Sequence, residues 1–177
     1  MIPAIRLIPY RPEFLDLFMA WRDEAHSLRH NPLTPATRAE TARMRLAEGS
    51  DLSDLRKYES YRWFVEFGDD VVGSVSLKNI SHMMAYAEIG YGIAESYQGR
   101  GIATMAVAAL VDKAFGESPL RKLMAYVHDQ NLPSCRVLEK LGFQREGFLR
   151  EHYVINGSPE NEVLFGLLKR EWKGAGL

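Results

Sequence analysis

Residues 86–115, YAEIGYGIAESYQGRGIATMAVAALVDKAF, limit the fold more than any other stretch of this chain. Residues 86–93 have the two-residue period of a strand, which puts Glu88, Gly90 and Gly92 on one face. The connection ESYQGRGIAT brings two more glycines, Gly99 and Gly101. A helix is expected from about Gly101 to Phe115, with Ile102, Met105, Ala106, Ala109 and Leu110 forming one apolar stripe. A strand followed by a glycine-bracketed turn and an apolar-faced helix belongs to a sheet with a helix packed on it.

The flanking sequence extends this pattern. AIRLIPY reads as a first strand, and residues 12 to about 24 as an amphipathic helix with Phe14, Leu17, Phe18 and Trp21 at three- and four-residue steps, Phe14, Phe18 and Trp21 core-facing. HNPLTP breaks it, and Thr37 with Glu40 makes a T-x-x-E capping box opening a second helix to about Glu48. YRWFVEF and VVGSVSLKNI, joined by GDD, read as a hairpin preceding the 86–93 strand. LRKLMAYVH is a further strand, and a short helix runs from about Leu132 to Leu141, ending at Gly142. Strands at about 144–155 and 161–168 close the chain, with Asn156-Gly157 as the turn between them. No repeat or linker interrupts residues 1–177, so a single domain of α+β type is expected.

Charge and cysteine content exclude several functions. The 177 residues carry a formal net charge of −1, which does not suit a general nucleic-acid binder. Arg43 and Arg45 read as a solvated helix face. Cys135 is the single cysteine, so no disulfide framework forms within the chain. His26 and His30, four apart before Asn31-Pro32, read as a polar helix end rather than a metal pair, and no metal is expected. The start MIPAIRLIPY lacks the apolar run of a signal peptide, and no stretch reaches the roughly 20 apolar residues of a membrane span. A cytoplasmic location is the simplest expectation.

The loop at 95–104 allows two readings. Glycines between a strand and a helix can be turn chemistry alone. They can also let a ligand reach the unpaired N–H groups and the positive dipole end of the helix, a site suited to phosphate. The common nucleotide motifs do not fit. GxxxxGK is absent, and the third position of a GxGxxG pattern is Thr104. The two-glycine strand face likewise suggests either a ligand pressing close or a β-bulge.

Gln98-Gly99-Arg100-Gly101-Ile102-Ala103 resembles the Q/R-x-x-G-x-G/A pyrophosphate signature of the GCN5-related N-acetyltransferase (GNAT) superfamily. VHDQNLPSCRVLEKLGFQREG, residues 127–147, is similar to the segment where an asparagine and a serine precede a "vLeKlGF" helix. GFLREHYVINGSPENEVLFGLLKREW resembles the C-terminal hairpin of the ribosomal-protein alanine N-acetyltransferase branch. The resemblance is clear over about residues 60–172 and looser before them. It implies a central, mixed, mostly antiparallel twisted sheet of about six to seven strands. The sheet would be splayed in the middle and flanked by about four helices.

The same resemblance implies acetyl-CoA as co-substrate, lying between the strands near 86–93 and 122–128. The pyrophosphate would rest on N–H groups of Gln98, Gly99, Arg100, Gly101, Ile102 and Ala103, with Thr104. Ile93 would meet the pantetheine arm from one side and Asn131 from the other. By the same resemblance Ser134 would protonate the leaving thiolate; the structural alternative is that it caps the short helix. Glu88 and Glu95 compete as the base that deprotonates the amine, with a water relay as a third route. N–H groups near Ile89 to Tyr91 would face the thioester oxygen. Tyr91, Tyr97 and Tyr126 read as packing residues. Cys135 reads as a small buried residue, with nothing to bring His128 near it as a base.

An acceptor site is expected from about residues 22–58 and 148–162, where Arg22, Asp23, Glu24, Glu40, Arg150, Glu151 and His152 mix both charges. The resulting expectation is an acyltransferase acting by direct transfer on a primary amine, with a protein N-terminal α-amine first. A small-molecule amine such as a polyamine, aminoglycoside or amino-acid derivative is the alternative. A non-catalytic CoA-binding regulatory module is the third reading, and a homodimer is the family-level assembly.

Overall fold

The computed structural model describes residues 4–30 and 37–174. Most of the expected HNPLTP break lies outside these residues. Seven strands form one sheet in the order β1-β2-β3-β4-β5-β7-β6. They are β1 (Ile5–Ile8), β2 (Tyr61–Phe67), β3 (Asp70–Ser81), β4 (Tyr86–Ile93), β5 (Lys122–His128), β6 (Gln144–Ile155) and β7 (Ser158–Leu168). Every pairing is antiparallel except β4 with β5. Those two strands are joined by the helix α4 (Ile102–Glu117), the crossover that a parallel pair requires.

Each sheet face has its own apolar layer. Trp63, Val65, Val75, Leu77, Ile89 and Leu123 turn toward α4, which buries Ile102, Ala106, Val107, Leu110, Val111 and Ala114. The alternate residue Phe64 turns the other way. Its ring lies 5.2–6.1 Å from those of Tyr10, Phe14, Phe18 and Trp21. The spacing of Phe14, Phe18 and Trp21 therefore marks a true core stripe, on the face opposite α4, but Leu17, expected on the same stripe, is 42% exposed because it falls at the edge of that face.

Five α-helices occur among the described residues, where about four were expected. The first expected helix is divided: a 3-10 turn at Pro12–Phe14 leads into α1 (Leu15–Arg22), and α2 (Ala25–His30) starts afresh after Asp23 and Glu24. The capping box forms as expected at α3 (Arg38–Leu46): Thr37 accepts from the Glu40 N–H at 3.2 Å, and Glu40 accepts from the Thr37 N–H at 2.7 Å. The last helix is α5 (Leu132–Lys140). Asn156 and Gly157 have φ of 49° and 83°, and Ile155 pairs directly with Ser158. This two-residue turn suits the strand twist. It lets β7 begin at Ser158, three residues before the expected start.

Arg45 corrects the solvated-face reading of α3. It is 6% exposed, with its guanidinium 4.7 Å from the Phe18 ring centroid. An arginine can cover an aromatic face with its stem and guanidinium plane, and charge alone gave no sign that this one turns inward. None of the helices among the described residues is long and apolar enough to cross a membrane.

Candidate active site

The parallel ladder between β4 and β5 is short. It holds three pairs, Tyr86 with Lys122, Ala87 with Leu123 and Glu88 with Met124. Beyond Glu88, β4 continues to Ile93 and β5 to His128 without pairing with each other. β4 stays bonded to β3, and β5 to β7. The sheet thus splits between two strands that are each held from the far side. The unpaired stretch starts at Ile89 to Tyr91.

The glycine-bracketed loop stands at the open end of this split. A 3-10 turn at Glu95–Tyr97 leads to Gln98, and Gly99 and Gly101 have φ of 75° and 78°. A Cβ on either glycine would meet nothing within 4 Å. Backbone angle, rather than crowding, is what demands glycine here. Gly101 is the N-cap of α4, and no side chain caps that end. The first N–H groups of a 16-residue helix are therefore left for water or a ligand.

The other loop residues have definite places. Ile102 and Thr104 are buried, while Ala103 is partly covered. Gln98 donates its side-chain amide to the Ile93 carbonyl at 3.0 Å. Arg100 donates to the Ser96 carbonyl at 3.1 Å and lies over the Tyr97 ring, whose hydroxyl donates to Asp70.

Across the split, Asn131 rather than Ser134 caps α5: its Oδ1 accepts from the Ser134 N–H at 3.3 Å. That frees the Ser134 hydroxyl, which lies 2.7 Å from the Tyr91 hydroxyl. Tyr91 reaches it from β4, so one hydroxyl pair links the two sides of the split. The packing role expected of Tyr91 is incomplete. Burial pushes its phenol well above the usual range, so it stays protonated, and the Ser134 hydrogen bond offsets this only in part. An O–H pair of this kind can pass a proton to a developing anion. Tyr91 is odd-numbered on a strand whose noted face is even-numbered, so its side chain points to the α5 side.

The two acidic candidates lie far apart. Glu88 is 8% exposed, its carboxylate 2.8 Å from the Lys78 ammonium and 2.6 Å from the Asn79 amide nitrogen. It lines a cavity of about 360 Å³ with Asn79, Tyr86, Met124, Tyr126, His152 and Glu162. Tyr126 and His152 stack at 5.8 Å, and Glu162 is 2.6 Å from His152. Glu95 is seven residues further on, roughly 20 Å along an extended strand. It accepts from the His26 N–H at 2.7 Å, and its own N–H donates to Glu24 at 3.0 Å. Glu95 thus sits at the start of α2, not at the helix that follows it in sequence. Burial raises the Glu24 carboxyl; the Glu95 N–H lowers it and the Glu95 charge raises it again.

α2 also touches β5. His30 Nδ1 and His128 Nδ1 are 2.8 Å apart, and His128 Nε2 is 3.3 Å from Glu160. His128 therefore has partners other than Cys135, which is 2% exposed with its thiol pushed up by burial. The floor between α1–α3 and the split is Ser74 opposite Gly92 and Ser76 opposite Gly90, with no bulge at these pairs. A Cβ on Gly92 would meet nothing within 4 Å, whereas one on Gly90 would come within 2.9 Å of Ser76 Oγ, so this strand face opens onto space at Gly92 and is packed at Gly90.

A sheet split beside an uncapped, glycine-led helix defines the class of protein. Residues 4–144 match the acetyltransferase (GNAT) domain family, and the chain belongs to it. It is an N-acetyltransferase. The spermidine N(1)-acetyltransferase of Escherichia coli (strain K12) is 32% identical over 127 residues, 71% of this chain and 68% of that protein. The ribosomal protein uS5-alanine N-acetyltransferase of the same strain is 26% identical over 125 residues, 68% of this chain and 64% of that one. Mycobacterium smegmatis RimJ, solved with CoA-disulfide, superposes with a TM-score of 0.84 at 26% identity, covering 96% of this chain and 85% of that one.

Proposed function

We propose that this chain moves an acetyl group from acetyl-CoA directly to a primary amine, a protein N-terminal α-amine first among acceptors. The observation that carries this reading is the ladder that stops at Glu88 and Met124, with the loop at one end of the split and the Ser134–Tyr91 hydroxyl pair beside it. The relative solved with CoA-disulfide supports the same co-substrate.

N–H groups of Gln98 to Ala103, with Thr104, hold the pyrophosphate, and Arg100 adds a charge if it leaves the Ser96 carbonyl. The Ile93 carbonyl is already taken by Gln98. A pantetheine amide that uses it must displace that side chain. Asn131 keeps its amide nitrogen free for the other side of the arm while its oxygen caps α5.

The acceptor nitrogen attacks the thioester carbonyl from the Glu88 face. The N–C bond forms as the C–S bond breaks, and N–H groups near Ile89 to Tyr91 meet the oxygen as it gains charge. The thiolate takes a proton from Ser134, which Tyr91 resupplies. The amine proton leaves through Glu88 or water. Glu95, engaged at the start of α2, serves instead to position that helix.

One observation favours the second reading, a polyamine acceptor. Two carboxylates and three aromatic rings line the Glu88 cavity, surroundings that suit an extended cation. Acetyl-CoA offered with a panel of amines and free-N-terminus peptides, read by thiol release, tests both. Release with peptides is expected. If acetyl-CoA gives neither a melting shift nor calorimetric heat, the assignment of co-substrate and split fails together.

A further inference from the structure

The Glu88 cavity is larger than one amine needs, and its far end has no role in the transfer just described. Glu88 and Met124 are the last pair of the β4–β5 ladder, and both line the cavity, so it begins where the split begins. It then passes over Tyr126 on β5 to Glu162 on β7 and His152 on β6. Met124, Tyr126 and His128 alternate onto one sheet face, and His128 pairs with Glu162. The cavity thus runs along the same face as Glu88, away from β4.

The charged residues that line it, Glu88 and Glu162, are both acids. They differ in how far they are satisfied. Glu88 is met by the Lys78 ammonium at 2.8 Å and the Asn79 amide at 2.6 Å, one on each oxygen. Glu162 is met by His152 at 2.6 Å through Oε2, and its Oε1 has no hydrogen-bond partner among the described residues. The His152 side chain is half exposed and stacks on Tyr126, with ring centroids 5.8 Å apart at 20°. The Tyr126 phenol is raised by burial first, then by the charges of Glu88, Tyr86 and Glu162, so both carboxylates act on this one space. β7 is two strand spacings from β4, which puts Glu162 roughly 10 Å across the sheet from the strand that meets the amine.

We propose that the Glu162 end of this cavity is a cation subsite for the ammonium or guanidinium of a basic side chain on the acceptor peptide. Tyr126, His152 and Met124 cover the apolar stem of that side chain, and Glu162 Oε1 accepts from its charged head. At about 3.3–3.6 Å per residue, an extended peptide spans the distance with a long basic side chain on its second to fourth residue. The proposal rests on the reading of an N-terminal α-amine as acceptor and, within it, names the class of peptide.

The test compares peptide amides carrying arginine or its uncharged isostere citrulline at position 2, 3 or 4 behind a free N-terminal alanine. At one position arginine should lower KM about ten- to a hundredfold against citrulline, the range of a charged hydrogen bond. Glu162→Gln should erase that preference while leaving acetyl-CoA affinity unchanged. Equal KM values across all three pairs in the unmodified enzyme overturn the subsite, as does a preference that survives Glu162→Gln. If no peptide is acetylated, the acceptor reading fails on its own, and Nα-acetylarginine amide, which has no amine to acetylate, decides the subsite. A rise in Tm with this probe that is absent with Nα-acetylcitrulline amide and lost in Glu162→Gln upholds it. No rise, an equal rise with both probes, or a rise that persists in Glu162→Gln removes it.

Discussion

The two sides of the split are built in different ways. The proposed acetyl-CoA (donor) side lies within residues 91–134, and most of it is backbone: two left-handed glycines, an uncapped helix end and one hydroxyl pair. The proposed acceptor side is made of side chains from far-separated elements: Glu88 on β4, His30 on α2, His152 on β6 and Glu162 on β7. A backbone cradle suits a part of the reaction that does not change between relatives. A side-chain trough is free to change its amine. Substitutions on the donor side should therefore act equally on all acceptors, and those on the acceptor side should act on acceptor choice.

The largest effect is expected at Ser134. In the proposed transfer Ser134→Ala removes the general acid, and loss of a general acid lowers kcat by about a hundredfold or more. Acetyl-CoA affinity and acceptor KM should hold, with Tyr91→Phe giving a smaller fall. Stopped-flow thiol release with several acceptors checks this. A rate loss confined to one acceptor would break the division between the two sides.

Gly101→Val comes next. It forces a β-branched residue to φ of 78°, about 1–2 kcal/mol of strain, and tilts the N–H groups away from the phosphate. Acetyl-CoA Kd should weaken about tenfold or more by calorimetry, with acceptor KM unchanged in saturating acetyl-CoA. Normal Kd would show that the loop is turn chemistry alone.

This contrast also explains what the sequence revealed. The donor side is a local motif, so Gln98 to Thr104 and the Asn131–Ser134 pair were readable from adjacent letters. The seven strands followed from alternation and from the Asn156-Gly157 turn. Three features were not readable, each for a tertiary reason. Tyr91 looked like packing because its partner Ser134 is 43 residues away. Glu95 read as a candidate base, yet its carboxylate accepts from the His26 N–H of α2, 69 residues earlier in the chain. Arg45 looked solvated because a charged residue on an amphipathic helix usually is, and only the Phe18 ring and the Arg62–Glu48 pair bring it inside.

On the acceptor side, Glu88→Gln tests the cavity. Removing this charge should raise amine KM about tenfold, the scale of a charged hydrogen bond, and leave acetyl-CoA Kd alone. If Glu88 also takes the amine proton, the acid limb of the pH–rate profile disappears with it. Glu95→Gln should keep that limb and instead loosen α2. An effect of Glu88→Gln on acetyl-CoA Kd would mean that the two sides are not separate.

The smallest effect is expected from acidification. His30 is lowered from its ordinary value, by burial first and then by the charges of His26, His128 and Arg29. Its contact with His128 Nδ1 needs at least one of the two rings neutral, and Asp129 and Glu160 face His128 from beyond. A depressed histidine means that the unfolded chain binds the proton first. Stability from this group is therefore complete above about pH 6.5 and declines as pH falls from there through the lower folded value. Because His30 is only partly covered, the Tm change between about pH 7.5 and 5.5 should be about 2 °C or less. His30→Gln should flatten it. The consequence for catalysis follows from where the contact sits: α2 loosens from β5 on the acceptor side only. Acceptor KM should therefore rise on acidification more steeply in the unmodified enzyme than in His30→Gln, while acetyl-CoA Kd stays level in both.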